Sequence, residues 1–171
     1  TEALAGVRSP DELGRALLDF LRETAGPSAL YLRRGGEAVL WQATSAATGA
    51  ADGSIPLSES SLLASLRDSN DLFTGPCPGT AADGRLLASI GERFLADLFV
   101  VPVNLNRRTF LYVVGKASRG AAPLDRASLR RLARIASTAL GLVALQGRLR
   151  SVGLGAAPPA TSSSRASGAS G

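Results

Sequence analysis

With 171 residues, no His and one Cys, the chain excludes histidine metal centres, Ser-His and Cys-His catalysis, intrachain disulfides and cysteine zinc clusters. Apolar residues at 45% and charged residues at 19% describe a globular chain, long enough to bury a core without covalent staples. The net charge of +5 is local: residues 1–124 hold 12 basic and 13 acidic side chains, whereas residues 125–150 hold six Arg against Asp125.

Residues 1–8 read as a leader lacking the basic start and apolar run of a signal peptide. The absence of any Met reads as a segment of a longer protein, and no apolar run is long enough for a membrane span. A lone thiol fits a reducing, cytoplasmic setting. The first helix is signed by Ser9 as N-cap, Pro10 at the first helical position and Glu12 completing a capping box. Leu13, Ala16, Leu17, Phe20 and Leu21 form its apolar face, and Gly26-Pro27 stops it. Ala29–Arg33 and Ala38–Gln42 flank Gly35-Gly36, a hairpin signal, because glycine accepts the positive φ of a tight turn. Residues 44–54 read as a loop.

Ile55-Pro56-Leu57 leads to Ser58 as N-cap of a short helix carrying Leu62, Leu63 and Leu66. Asp71–Thr74 is a short extended piece. Gly75-Pro76-Cys77-Pro78-Gly79 reads as irregular, since its prolines and glycines interrupt both helix and sheet ladders. Asp83 is expected to cap a further short helix carrying Leu86, Leu87 and Ile90. Leu98–Leu105 and Thr109–Val114 form the strongest strand pair, turning at Asn106-Arg107-Arg108. They are apolar at almost every position, which predicts a sheet covered on both faces. Pro102 predicts a bulge, or a position whose N–H the ladder does not use. The last helix runs from about Asp125 to Leu149, opened by Pro123 and Asp125. Residues 135–147 carry no charge, which predicts cover on more than one side. Residues 151–171, rich in Ala, Ser, Gly and Pro, read as a flexible tail or linker, so the domain spans 9–150.

This order predicts an α+β domain: a central antiparallel sheet of five or six strands, long N- and C-terminal helices on one face, short helices and loops on the other. The pattern resembles the GAF family of regulatory domains over about residues 9–149. The resemblance rests on three pieces: Ser28–Leu32 before the glycine turn, Ile55–Leu63 with its Pro-Leu-Ser start, and the closing hairpin Phe99–Gly115. Similar pieces occur in GAF-like modules of bacterial multidomain signalling proteins. The resemblance implies dimerisation through the first and last helices and a pocket between the sheet and residues 55–95. Placed on this sequence, that pocket would be lined by Tyr31, Trp41, Leu62, Leu66, Phe73, Leu87, Val101 and Tyr112. The dimer contact would use Leu17, Leu21, Ile135, Leu142 and Leu145. Signatures of known subgroups are absent: the cyclic-nucleotide Asn-Lys-Phe-Asp-Glu motif, the bilin Cys-His pair (Cys77 precedes Pro78), and the cysteines of free methionine sulfoxide reductases.

Each candidate has a plainer reading. The aromatic residues are also natural core. Cys77, expected to be partly exposed, has no His or Lys neighbour to activate it, and Asp71 or Asp83 nearby would disfavour its thiolate. Arg126, Arg130 and Arg134, spaced i, i+4, with Arg131 beside them, form a basic face, either a solvated surface or a binder of phosphates or an acidic partner. No exposed aromatics interleave with these arginines, which argues against nucleic acid. No carboxylate pair, metal-ligand cluster, Gly-rich phosphate loop or Gly-x-Ser-x-Gly element appears. The expected function is a non-enzymatic, cofactor-free signalling module. It would bind a small ligand or partner, form a homodimer and pass a change in helix packing to other signalling proteins or domains. The alternative is a ligand-free interaction scaffold with a degenerate pocket.

Overall fold

The computed structural model describes residues 9–44, 53–92, 96–117 and 125–151. The leader 1–8, Pro123 and, apart from Ser151, the tail lie outside them, as do residues 93–95 of the expected pocket region and 45–52 of the expected loop. Ten elements follow one another: α1 Pro10–Thr24, β1 Ser28–Arg34, β2 Glu37–Ala43, β3 Ser54–Pro56, α2 Leu62–Ser65, β4 Phe73–Pro76, α3 Ala81–Ser89, β5 Asp97–Leu105, β6 Arg108–Lys116 and α4 Arg126–Ser151. The six strands form one sheet in the order β3-β2-β1-β6-β5-β4, every pair antiparallel. The fold is α+β, with α1 and α4 on one face and α2 and α3 on the other.

Local chemistry sets most element ends. The hydroxyl of Ser9 accepts the Glu12 N–H at 3.2 Å, satisfying one orphan donor at the start of α1. Gly35 in the β1–β2 turn has φ +60°, a conformation that costs glycine nothing. In the β5–β6 turn, Asn106 and Arg107 take φ 53° and 64°, the turn hand that matches strand twist. Arg108 already belongs to β6, opposite Leu105. Strand parity then sorts the side chains. Leu30, Phe99, Val101, Val103, Leu111 and Val113 pack toward α1 and α4. Ala29, Tyr31, Leu98, Val100, Tyr112 and Val114 pack toward α2 and α3.

Several sequence expectations are corrected. Ser54–Pro56 is a strand, not a lead-in loop, and adds to the free edge of β2. The N-cap of α2 is Ser61, three residues after Ser58; its hydroxyl accepts the Ala64 N–H at 3.1 Å. Thr80 caps α3, and Asp83 is the third residue of the resulting capping box. Gly75 and Pro76 belong to β4, paired with Leu98 and Asp97. They are tolerated because, among the described residues, β4 is an edge strand with no neighbour on its outer side to require their backbone groups. On α1, Leu18 and Gly14 are buried in place of Phe20, which is 42% exposed. Pro102 lies beyond the last residue paired with β4, close to a register shift at Val103/Asn104.

The central strands leave little room for added volume. A Cβ on Gly115 would sit 2.3 Å from the Phe99 ring and 2.9 Å from the Ser28 hydroxyl. This glycine lets the Phe99 ring lie across its neighbouring strand and close the α1/α4 core.

Candidate functional site

The face covered by α2 and α3 brings together six of the eight residues expected to line a pocket. Tyr31 and Tyr112 stand directly opposite each other on β1 and β6. Leu62, Leu66 and Leu87 pack over them from the short helices, and Phe73 packs in from β4. Trp41 and Val101 do not join them: both face α1 and α4, and Leu40 takes the place on this face expected for Trp41. The correction follows from strand parity, which puts neighbours in a strand on opposite faces. The six that meet form part of a close-packed apolar cluster, with Tyr31 and Tyr112 at most 1% exposed.

A buried carboxylate holds this face closed. Asp83 is 1% exposed. One of its oxygens accepts the Leu62 N–H at 2.9 Å; the other accepts the Thr80 hydroxyl at 2.7 Å and the Thr80 N–H at 3.3 Å. It thus joins the starts of α2 and α3. The sequence signal was present in Thr80-x-x-Asp83, a capping box, but the link to Leu62 is a tertiary contact. Beside this cluster, Asp68 adopts φ 58°, accepts the Thr109 N–H at 3.1 Å and donates its own N–H to the Thr109 hydroxyl at 2.9 Å. Arg33 donates to the same carboxylate. The Thr109 N–H and, after it, Arg33 hold the Asp68 carboxyl below its ordinary range.

Two reactive groups are sequestered here. Cys77 is 4% exposed, a correction to its expected partial exposure, because its side chain folds under α3 into the cluster. Burial pushes its thiol up, with Asp83 adding to the effect and the Gly79 N–H opposing it. That is the opposite of an activated thiolate. The phenol oxygen of Tyr112 is buried beside the Thr109 hydroxyl without a well-formed hydrogen bond. Burial raises its pKa, with the charge of Arg33 and the Thr109 hydroxyl working against the rise. Burial likewise raises Tyr31, against the Ser89 hydroxyl.

The other face separates the expected dimer residues. Leu17 and Leu21 are fully buried against the sheet and offer nothing to a second subunit. This corrects their assignment: the apolar face of α1 is consumed by its own core. On α4, Leu129, Leu132, Ala136, Ala139, Leu140 and Val143 face inward. Ile135 is half-buried, and Leu142 and Leu145 are 55% and 57% exposed. The uncharged stretch is therefore covered on one side within the subunit. Arg126, Arg130, Arg131 and Arg134 are exposed. Arg126 donates to the Leu72 carbonyl at 3.3 Å, and Arg130 and Arg134 border a cleft between α4 and β5. Among the described residues, no group of three or more His, Cys, Asp or Glu is placed to hold a metal ion.

This architecture is that of GAF domains. A GAF domain/HD domain protein from Geobacter sulfurreducens superposes with a TM-score of 0.63 at 17% identity, over 85% of this chain and 98% of that one. The GAF domain of a two-component sensor histidine kinase from Bacillus halodurans gives 0.61 at 19% identity, over 82% and 99%. Residues 122 to 287 of a methyl-accepting chemotaxis protein give 0.67 at 11% identity, over 84% and 94%. The chain is a GAF-like domain in fold. No family model and no curated protein matches its sequence.

Proposed function

We propose that the chain is a non-enzymatic, cytoplasmic signal-transduction module. It works as a homodimer joined along α4, and it passes changes in the packing of that helix to attached domains or partner signalling proteins. The observation that carries this reading is the apolar stripe left on the outer side of α4. Ile135, Leu142 and Leu145 follow one another at intervals of seven and three, the spacing of a helix–helix seam. Structural neighbours that include a GAF domain of a sensor histidine kinase and part of a methyl-accepting chemotaxis protein support a signalling role. The absence of His from the sequence and the burial of Cys77 speak for regulation rather than catalysis. Among the described residues no helix is long and apolar enough to cross a membrane.

The test is the native mass of wild type and Leu142→Glu. Wild type is expected as a dimer and the variant as a monomer. Its unfolding midpoint at low protein concentration should be nearly unchanged, because Leu142 contributes little to its own subunit's core. A variant that keeps the wild-type mass overturns the α4 seam.

One observation favours a second reading for the sheet face under α2 and α3. Tyr31, Tyr112, Leu62, Leu66 and Leu87 are all buried against one another. Such packing suits a scaffold that carries no small molecule on this face. Native mass spectrometry decides between the readings: a small molecule retained per subunit and lost in Tyr31→Ala supports a sensor pocket there.

A further inference from the structure

A cleft of about 330 Å³ opens on the α1/α4 face, away from the packed α2/α3 cluster. Arg130, Ala133, Arg134 and Ser137 of α4 form one wall. Leu72, Val101 and Pro102 supply apolar surface, and Asn70 and Asn104 supply polar groups on the β5 side. The walls are tied in place by bonds that do not use the two arginines. The Asn104 amide donates to the Ser69 carbonyl at 2.7 Å and to the Asn70 side-chain oxygen at 2.8 Å, fixing residues 69–70 to the end of β5. Arg126, one turn before Arg130, anchors the start of α4 to Leu72.

Among the described residues, no carboxylate pairs with the two arginines of this cleft. Arg33, Arg85, Lys116 and Arg22 each pair with a carboxylate. Among the described residues, Arg130 and Arg134 have no ion pair, and no residue lining the cleft is acidic. Asp71 is the nearest carboxylate in sequence. It is exposed, lies between two lining residues and is not paired with either arginine. Arg131 is not part of the lining; its charge acts on Asp125.

We propose that this cleft binds a small organic dianion, carrying a phosphate or two carboxylates, between α4 and the sheet. Two guanidinium forks one helical turn apart match such a group, since each can donate two parallel bonds to a phosphate or carboxylate. A volume of about 330 Å³ exceeds what a bare oxyanion fills, so the remainder of the ligand rests on Leu72, Val101 and Pro102, with Ser137 and Asn70 able to orient it. The bound anion would bridge α4 to β5. Its occupancy would then favour one setting of the helix that carries the outer apolar stripe. The site stands whether or not the subunits dimerise.

The experiment is an amide chemical-shift titration of the whole chain with inorganic phosphate and, separately, with succinate, at ionic strength held constant with sodium chloride. Saturable shifts at Asn70, Asn104, Ala133 and Ser137 are expected with at least one of the two. Phosphate saturating first assigns a phosphoryl ligand, and succinate a dicarboxylate. R130Q/R134Q should weaken the interaction at least about tenfold. R15Q/R34Q, which removes the same charge elsewhere, should not. A133L keeps both arginines, fills the cleft and should also abolish binding. The proposal is overturned if neither anion gives saturable shifts up to tens of millimolar, if R130Q/R134Q or A133L titrates like wild type, or if the shifts map to the α2/α3 face.

Discussion

The two faces of the sheet are built from alternate residues of the same strands, yet they are held by different physics. On the α1/α4 side, long helices bury continuous apolar stripes: Leu13, Leu17 and Leu21 from α1, Leu129, Leu132 and Leu140 from α4. On the α2/α3 side, helices of four and nine residues are too short to be stable by themselves. There the cover is fastened by polar bonds at its ends: Asp83 to Leu62 and Thr80, Asp68 to Thr109 and Arg33. Apolar burial is non-directional, whereas a buried carboxylate with three donors fixes short segments in one arrangement. Under the proposed function the first face carries the helix whose packing would change, and the second is a fixed cap.

The largest expected effect lies in the α1/α4 core. Leu17→Ala removes a fully buried side chain and should cost about 2–5 kcal/mol, read as a lowered denaturant midpoint shared by probes on both faces. Asp83→Ala should cost about 2–3 kcal/mol, because it leaves the Leu62 and Thr80 donors unsatisfied. Its signature is local: amide exchange should quicken first in α2 and the start of α3, while α1 and α4 keep their protection. Equal loss of protection on both faces would mean that the two are held in the same way.

Smaller changes sharpen the contrast between the two faces. Asp68→Asn should cost about 0.5–1 kcal/mol at neutral pH, discounted because the carboxylate is partly exposed. The folded chain holds this carboxyl below its ordinary range, so its contribution is complete above that range and fades as pH falls through the depressed value. The penalty measured for Asp68→Asn should therefore shrink on acidification. Tyr112→Phe should be neutral or slightly stabilising, within about 1 kcal/mol, since the hydroxyl it removes is buried without a well-formed hydrogen bond. A clear loss of stability would mean that this hydroxyl bonds to Thr109.

Local sequence patterning carries the fold class, the cap of α1, both hairpins and the span of α4. These are local properties: a hydroxyl that meets a nearby N–H, glycines that accept positive φ, an apolar period that matches helix or strand. It also made the arginine row legible, because i, i+4 spacing alone puts those side chains on one helix face. Which surface each face meets depends on packing between elements distant in sequence. Val101 and Tyr112 sit in runs that are apolar at nearly every position, so alternation left no mark of which side was which. Leu17 and Leu142 are the same residue type on amphipathic helices, and whether each packs inward or outward depends on where the sheet lies. The Asp83–Leu62 bond and the cleft between Arg130, Arg134 and Asn104 join segments distant in sequence, and nothing in either segment alone encodes the meeting.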